Sequence, residues 1–130
     1  MKLNVPKVLV DLPLREYAQE CGDETLRVWQ NPSHGVITER GEMLKQSLRL
    51  MTAKAESAPS DDEIAGLNQR WFAWLSVMVS QDDNPDSQHT AEEIAETYEA
   101  APDFIGWLTT RVTRMVDDYA AREKKRPTTR

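Results

Sequence analysis

Residues 60–79 read SDDEIAGLNQRWFAWLSVMV, and this stretch decides the fold class. It opens with a capping box, in which the Ser60 hydroxyl accepts from the free backbone N–H of Glu63 and the Glu63 carboxylate binds the Ser60 N–H. The apolar residues that follow recur at helical spacing: Ile64, Leu67, Trp71, Trp74, Leu75 and Met78. The second half is apolar on nearly all sides, which is typical of a helix packed between neighbours. The sequence therefore predicts a helix over residues 60–81.

Two more helices are predicted on either side of this stretch. A helix over residues 36–57 follows from an apolar stripe on one face, ended by Ala58-Pro59: Ile37, Leu44, Leu48, Met51 and Ala55. A second capping box, Thr90 with Glu93, starts a short helix over residues 90–101.

The last helix is predicted over residues 102–121. Pro102 suits its first turn, where a missing N–H costs nothing. A continuous apolar stripe follows: Phe104, Leu108, Val112, Met115 and Tyr119. Residues 122–130 lose this stripe and are rich in Lys and Arg, so we expect a basic, flexible tail there.

The N-terminal residues 3–30 have a β-prone character instead. Residues 8–12 and 25–29 are short runs of strand-forming residues, and Cys21-Gly22-Asp23 supplies turn chemistry between them. A two-stranded ribbon is marginal alone, so it must lie on the helices. The expected fold is a small, mainly α domain of three to four helices with a short N-terminal β segment, a single domain over residues 1–121.

Composition and charge exclude several functional classes. The chain has 130 residues, one Cys and a formal charge of −6. Such an acidic chain has no overall attraction to nucleic acid or to an anionic membrane surface. Its apolar runs are too short to span a bilayer or to form a signal peptide. The lone Cys excludes a disulfide framework, so we expect a cytoplasmic protein, in the host cytoplasm if a phage encodes it.

Catalytic motifs are missing from the sequence. It contains no Gly-rich phosphate loop, no nucleophile elbow and no His-Glu-x-x-His motif. His34 and His89 fall in predicted loops far apart in the chain, and Cys21 lies near Glu20 and Asp23, which disfavour its thiolate. We therefore expect a protein that is not an enzyme and carries no cofactor.

One loop matches the ligand spacing of an EF-hand calcium site. Oxygen-bearing residues occupy positions 1, 3, 5, 7, 9 and 12 of a twelve-residue stretch: Asp82, Asn84, Asp86, Gln88, Thr90 and Glu93. Position 6, which needs glycine for a sharp turn, is Ser87, and position 8 is His89. A solvated acidic turn before a helix cap is therefore the favoured interpretation, and no metal site is favoured. Calcium held by Asp82, Asn84, Asp86 and Glu93 is the alternative.

A resemblance emerges from three stretches of the chain. Residues 12–18 (LPLREYA), 26–32 (LRVWQNP) and 102–111 (PDFIGWLTTR) resemble segments of the small tail assembly chaperones of long-tailed bacteriophages. Those proteins also have a helical body in which a Trp-rich helix precedes an acidic loop. The resemblance implies a non-enzymatic chaperone that coats the tape-measure protein and is shed as the tail tube polymerises around it.

The resemblance also implies a longer, frameshifted form of the chain as a partner. Lys124-Lys125 is compatible with a run of adenines on which ribosomes slip. Self-association into a homo-oligomer is a further expectation.

Client binding requires an apolar groove with a charged rim. The candidate contact residues are large apolar side chains of the predicted strands and central helix: Trp29, Trp71, Phe72, Trp74 and Met78. Aromatic residues act as interface anchors, and methionine adapts to varied surfaces. Burial of the tryptophans in the core is the competing interpretation. Two other functions stay open, namely a structural virion protein at the head–tail junction and an acidic inhibitor of host machinery.

Overall fold

The computed structural model describes residues 8–53, 58–80 and 89–125, and these are mostly helical. A ribbon of two strands, joined by two short 3-10 turns, precedes the helices: β1 (Leu9–Pro13) and β2 (Thr25–Trp29). The helices are α1 (His34–Met51), α2 (Asp61–Met78), α3 (Ala91–Ala100) and α4 (Pro102–Lys125). The expected fold class, a small mainly α fold with an N-terminal β segment, is confirmed.

The two strands of the ribbon pair antiparallel over their whole length. Their register runs from Leu9 opposite Trp29 to Pro13 opposite Thr25. Gly22 has a φ of 63° in the turn between them, a left-handed conformation that glycine adopts without a steric cost. The Arg27 guanidinium also binds the Asp11 carboxylate across the strands.

A third strand, β3 (Val79–Ser80), follows α2 directly and was not predicted. The central helix ends at Met78 rather than at residue 81, because Val79 turns to an extended conformation with φ −119° and ψ 146°. Val79 then lies opposite Val28 in an antiparallel pairing with β2. A β-branched residue favours this conformation, and the open edge of β2 supplies the backbone partners.

One continuous core joins the sheet to the helices. Leu26 and Val28 alternate inward on β2, together with Leu12 of β1. The fully or almost fully buried side chains of the helices are Met43, Leu67, Phe72, Trp74, Leu75, Met78, Ile94, Ile105, Leu108, Val112 and Val116. The stripe predicted for the last helix therefore faces the core at Leu108 and Val112.

The prediction that the apolar stripe of α1 faces the core is wrong for the second half of the helix. Met43 is fully buried, whereas Leu44, Leu48 and Met51 are 40, 63 and 83% exposed. The reason lies in α2, whose side chains fix the rotation of α1 by hydrogen bonds. The Trp74 indole N–H donates to the carbonyl of Val36 at 3.0 Å, and Arg70 reaches carboxylate and amide oxygens further along α1.

Helix boundaries follow the capping residues. Both predicted capping boxes are formed. The Glu63 backbone N–H donates to the Ser60 hydroxyl at 3.2 Å, and the Glu93 backbone N–H donates to the Thr90 hydroxyl at 3.1 Å. Helix α1 begins two residues before the predicted 36, because Ser33 caps it, and it ends at Met51 rather than at residue 57. Residues 54–57 lie outside the described part of the chain.

Helix α4 extends further than predicted. It continues to Lys125 instead of ending at residue 121, so the first part of the expected flexible tail is helical. Residues 126–130 lie outside the described residues. Across the ranges that the structure describes, no helix is long and apolar enough to cross a membrane.

Candidate binding surface

Three of the five predicted contact residues are core residues. Phe72 and Trp74 are 6 and 4% exposed, and Met78 is 1% exposed. Phe72 packs on Tyr98 of α3 with ring centroids 5.3 Å apart. Because their side chains are enclosed, these three residues cannot contact a partner without unfolding part of the core, and they are removed from the candidate surface.

The remaining two predicted residues are half-buried. Trp29 packs against the core from the last position of β2. Trp71 lies at the edge of the α1–α2 interface, edge-on to the ring of Trp74 at 5.8 Å, and its indole N–H reaches the Ser47 hydroxyl at 3.4 Å. Of the predicted set, Trp71 is the residue that borders an open surface.

Of the four candidate calcium ligands, one lies among the residues that the structure describes. Asp82, Asn84 and Asp86 lie outside the described residues, and Glu93 is engaged in the cap of α3. Its carboxylate accepts from the Thr90 backbone N–H at 3.0 Å and lies 3.6 Å from the His89 ring. These hydrogen bonds lower the pKa of Glu93 below its usual 4.5, and the bond from the Thr90 backbone N–H has the largest effect. Within residues 8–53, 58–80 and 89–125, no cluster of three or more His, Cys, Asp or Glu residues could hold a metal ion.

A partly enclosed cavity of about 250 Å³ lies between the sheet, α3 and the start of α4. Most of its lining is apolar, and its polar groups come from His89, Glu93 and Thr97. Glu93 serves the helix cap with His89 beside it, and the Thr97 hydroxyl donates to the Glu93 carbonyl at 2.9 Å. The polar groups are thus committed to α3, and the cavity offers little to orient a polar substrate.

An open apolar groove lies between the second half of α1 and the first half of α2. We call it the hairpin groove, and its volume is about 330 Å³. Its apolar lining consists of Leu50, Met51, Pro59, Ile64, Leu67 and Trp71. Leu44 and Leu48 continue the exposed apolar surface along α1, and Ile64 is 43% exposed on the α2 side. Exposed apolar surface that is contiguous in this way is typical of an interaction site.

The charged residues of α1 lie away from the hairpin groove. Lys45 and Arg49 line a separate polar pocket with Glu42, Gln46 and Arg70, on the other side of the contact between α1 and α2. On α2, Asp61 and Asp62 are exposed in the turn before Ile64. The polar side chains that line the groove itself are those of Ser47 and Asn68.

A second aromatic surface joins the N-terminal ribbon to α4, and sequence reasoning missed it. Tyr17 packs on Phe104 and Trp107 with ring centroids 5.1 and 5.4 Å apart. Arg111 donates to the Glu16 carboxylate at 2.9 Å in the same region. All five of these residues fall in the stretches that resemble the phage tail chaperones. No pattern within one stretch indicates that the stretches contact each other in the fold.

No family model, curated protein or solved structure matches this chain. The functional conclusion therefore depends on the geometry of the surfaces described above.

Proposed function

We propose that this chain is a non-enzymatic assembly chaperone that shields an apolar helical client. The client that the resemblance implies is the tape-measure protein of a bacteriophage tail. The observation that carries the proposal is the exposed apolar row Leu44, Leu48 and Met51. A protein with no partner gains nothing from three such side chains in a row on one helix, whereas a client helix would remove them from water.

The polar groups of the cavity beside α3 are consistent with this proposal. Glu93 lies in the cap of α3, whose hydrogen bonds lower its pKa, and the Thr97 hydroxyl donates to a carbonyl of the same helix. Groups engaged in this way are not free to act on a substrate.

A frameshifted longer form remains part of the proposal. Lys124 and Lys125 lie at the end of α4, so a product that diverges at these codons would keep the strands and all four described helices. A slippery heptamer at these codons, with an overlapping downstream frame, supports the longer form. A gene without either feature contradicts it.

Co-expression tests the chaperone function. The longest helical protein encoded downstream of the gene is expressed alone, with this chain, and with the double variant Leu48→Gln, Met51→Gln. We expect the client to be soluble and to co-elute only when this chain is present, with the double variant giving a smaller soluble fraction. Val8→Gln is the matched control, because Val8 is also an exposed apolar residue and lies outside the hairpin groove.

Purified phage particles distinguish the alternative functions. A shed chaperone is absent from them, whereas a structural protein of the head–tail junction is present. If the client stays insoluble and the chain is found in particles, the structural role replaces the chaperone role. If neither result is obtained and the chain co-purifies with a basic host protein, the inhibitor role replaces both.

A further inference from the structure

We propose that a trough on one side of the α1–α2 contact binds a short peptide segment of a partner protein, with a large apolar side chain at one end of the trough and carboxylates at the other. The trough lies on the side opposite the hairpin groove. This inference therefore adds a second site and does not depend on the chaperone function. It is carried by two adjoining pockets, of which one is apolar and the other is rich in cations.

We call this site the Arg70 trough, because Arg70 lines both of its pockets. The first pocket has a volume of about 300 Å³, and its apolar lining is Gly35, Val36, Ala73, Trp74 and Val77. The second has a volume of about 410 Å³ and is lined by Glu42, Lys45, Gln46, Arg49 and Arg70. Arg70 and Val77 are seven residues apart and share one face of α2, whereas Ile64 and Trp71 of the hairpin groove share another. The two sites thus flank the α1–α2 contact on opposite sides.

The apolar end of the Arg70 trough is open because the residues at its rim are small. Gly35 and Ala73 are exposed, and a Cβ atom at Gly35 would meet no described atom within 4 Å. The buried Trp74 side chain lines the same pocket, and its indole N–H donates to the Val36 carbonyl at 3.0 Å. This end therefore offers room for an apolar side chain of a partner against a ring whose position is fixed.

The cationic end is built around Arg70, whose guanidinium is held between the two helices. It donates to Gln46 Oε1 at 2.5 Å and to Glu39 Oε1 at 2.7 Å, both on α1. A guanidinium has five N–H donors, so these two bonds leave others for a ligand. Because the group is already fixed in place, a partner carboxylate that binds it does not have to order it.

Two further cations at this end are available to a partner. The Lys45 side chain is 80% exposed, and its contact with Glu42 is long at 3.8 Å. Arg49 is exposed, and within residues 8–53, 58–80 and 89–125 its side chain has no ion-pair partner. With Arg70, these cations outnumber the neighbouring carboxylates of Glu39 and Glu42. The end is thus locally positive.

This local charge favours an acidic partner. The whole chain carries a formal charge of −6, so an acidic segment is repelled by the chain as a whole and attracted at this end, which orients it. Nucleic acid is disfavoured, because three cations are few beside the roughly 6–10 phosphate contacts on which such binding depends.

A peptide also fits better than a second copy of the chain or a small molecule. In a twofold dimer the same patch meets itself, and two positive patches repel each other. A small-molecule site usually encloses most of its ligand, whereas the Arg70 trough is open along its length.

The length of the trough determines the spacing in the peptide. On α1 the apolar end extends from Gly35 to Glu39 and the cationic end from Glu42 to Arg49, so their centres are about 13 Å apart at a rise of about 1.5 Å per residue. An extended peptide covers that distance in about four residues. A small aromatic acid is too short to occupy both ends.

The test is an NMR titration of the isotope-labelled full chain at physiological ionic strength. The probe peptide has about ten residues, too few for a stable helix in water. It carries one phenylalanine and, about four residues further on, two glutamates in a serine and glycine background. One matched peptide has serine for phenylalanine, and the other has glutamine for both glutamates.

We expect the probe to shift the backbone amide signals at both ends of the Arg70 trough. The glutamine peptide should bind about fivefold more weakly and the serine peptide about tenfold more weakly. Signal shifts confined to another surface, or equal affinities for the three peptides, overturn the proposal.

Neutral side chains on α1 test the cationic end. Lys45→Gln with Arg49→Gln should weaken the probe about fivefold and leave the glutamine peptide unchanged, because the lost attraction is to the glutamates. The matched control is Arg114→Gln with Arg122→Gln, which removes the same charge from exposed positions of α4. An equal loss in the control overturns the proposal, because the effect would then come from the net charge.

A larger side chain at Ala73 tests the apolar end. Ala73→Leu fills this end at an exposed position and should weaken the probe about tenfold, while the serine peptide binds as before. Ala65→Leu is the matched control, because Ala65 is also exposed on α2 and lies outside the trough. Urea unfolding near the wild-type midpoint verifies that both variants fold. Unchanged affinity of the Ala73 variant for the probe overturns the proposal.

Two other results assign the trough to a different occupant and also overturn the proposal. One is 3-phenylpropionate binding as tightly as the probe, which indicates a small acid. The other is a wild-type dimer, detected by light scattering, that Lys45→Gln with Arg49→Gln dissociates, which indicates a second copy. Neither result affects the chaperone function, which co-expression tests at the exposed row of α1.

Discussion

The rotation of α1 about its own axis is the structural feature on which the exposed apolar row depends, and two substitutions test it. Met43 is fully buried and Leu48 is 63% exposed, although the hydrophobic pattern of the sequence favours Leu48 for the core. We therefore expect Met43→Ala to destabilise the protein strongly and Leu48→Ala to have almost no effect.

The magnitudes follow from burial. Truncation of a fully enclosed methionine removes its transfer free energy and leaves a cavity, at a cost of about 3 kcal/mol. For a chain of this length that cost lowers Tm by about 12 °C. Leu48→Ala removes a side chain that is already mostly in water and introduces the residue with the highest helix propensity, so its effect is within about 0.5 kcal/mol.

The assay is urea unfolding followed by tryptophan fluorescence, since Trp71 and Trp74 lie on the helix that packs against α1. Leu48→Gln with Met51→Gln serves as a second exposed-site variant, and it too should unfold near the wild-type midpoint. A loss of about 2 kcal/mol or more for Leu48→Ala, which is the cost of truncating a core residue, together with a neutral Met43→Ala, would refute the rotation and remove the exposed row.

Three further predictions concern single contacts. Ser60→Ala breaks the capping box of α2 and should cost about 1 kcal/mol in urea unfolding, whereas Ser76→Ala, within the same helix, should cost less; equal costs contradict the cap. Trp74→Phe removes the indole N–H that binds α1 and should cost about 1 kcal/mol, and an unchanged midpoint argues against that bond. Thr90→Ala removes one of the hydrogen bonds that lower the pKa of Glu93, so that pKa should rise part of the way toward 4.5 in a carboxyl NMR titration. Because folding lowers the pKa of Glu93, its ionised carboxylate stabilises the folded state above about pH 4.5, and this stability is lost as the pH falls through the folded pKa. A titration midpoint of Glu93 that Thr90→Ala leaves unchanged contradicts the assignment.

Local signals in the sequence predicted the helix starts. Ser60 and Thr90 with their partner glutamates form hydrogen bonds between residues three apart, so the information lies within one turn. The mainly helical class followed from the same kind of pattern, because a period of 3.6 residues persists through α2 and α4.

Contacts between distant residues were not predictable in this way. Helix α1 carries two overlapping apolar sets, one with Met43 and one with Leu48, and the choice between them depends on hydrogen bonds from α2. Strand β3 has two residues, too short for any periodicity, and it exists because β2 offers an edge to Val79. The aromatic contact of Tyr17 with α4 joins residues almost ninety positions apart, which no local pattern encodes.

For the candidate surface, the sequence left two interpretations of the tryptophans in the central helix, contact residues or core residues. It did not separate them, because Trp71 and Trp74 are three residues apart and both suit an apolar face. Trp74 is buried where its indole N–H donates to the Val36 carbonyl, and the groove forms where α1 and α2 pack side by side. Both are properties of the assembled structure.

The bond between Glu16 and Arg111 spans 95 residues, and this separation has a consequence for synthesis on the ribosome. At ribosomal rates of about 5–20 residues per second, the ribbon emerges roughly 5–20 s before the helix that covers it. During that interval Leu14 and Leu26, which border the cavity against α3 and α4, have no helix above them. A nascent chain that has completed β3 but not α4 therefore presents a paired sheet with one uncovered apolar face, and it is at this stage of its own synthesis that the protein is most prone to aggregate.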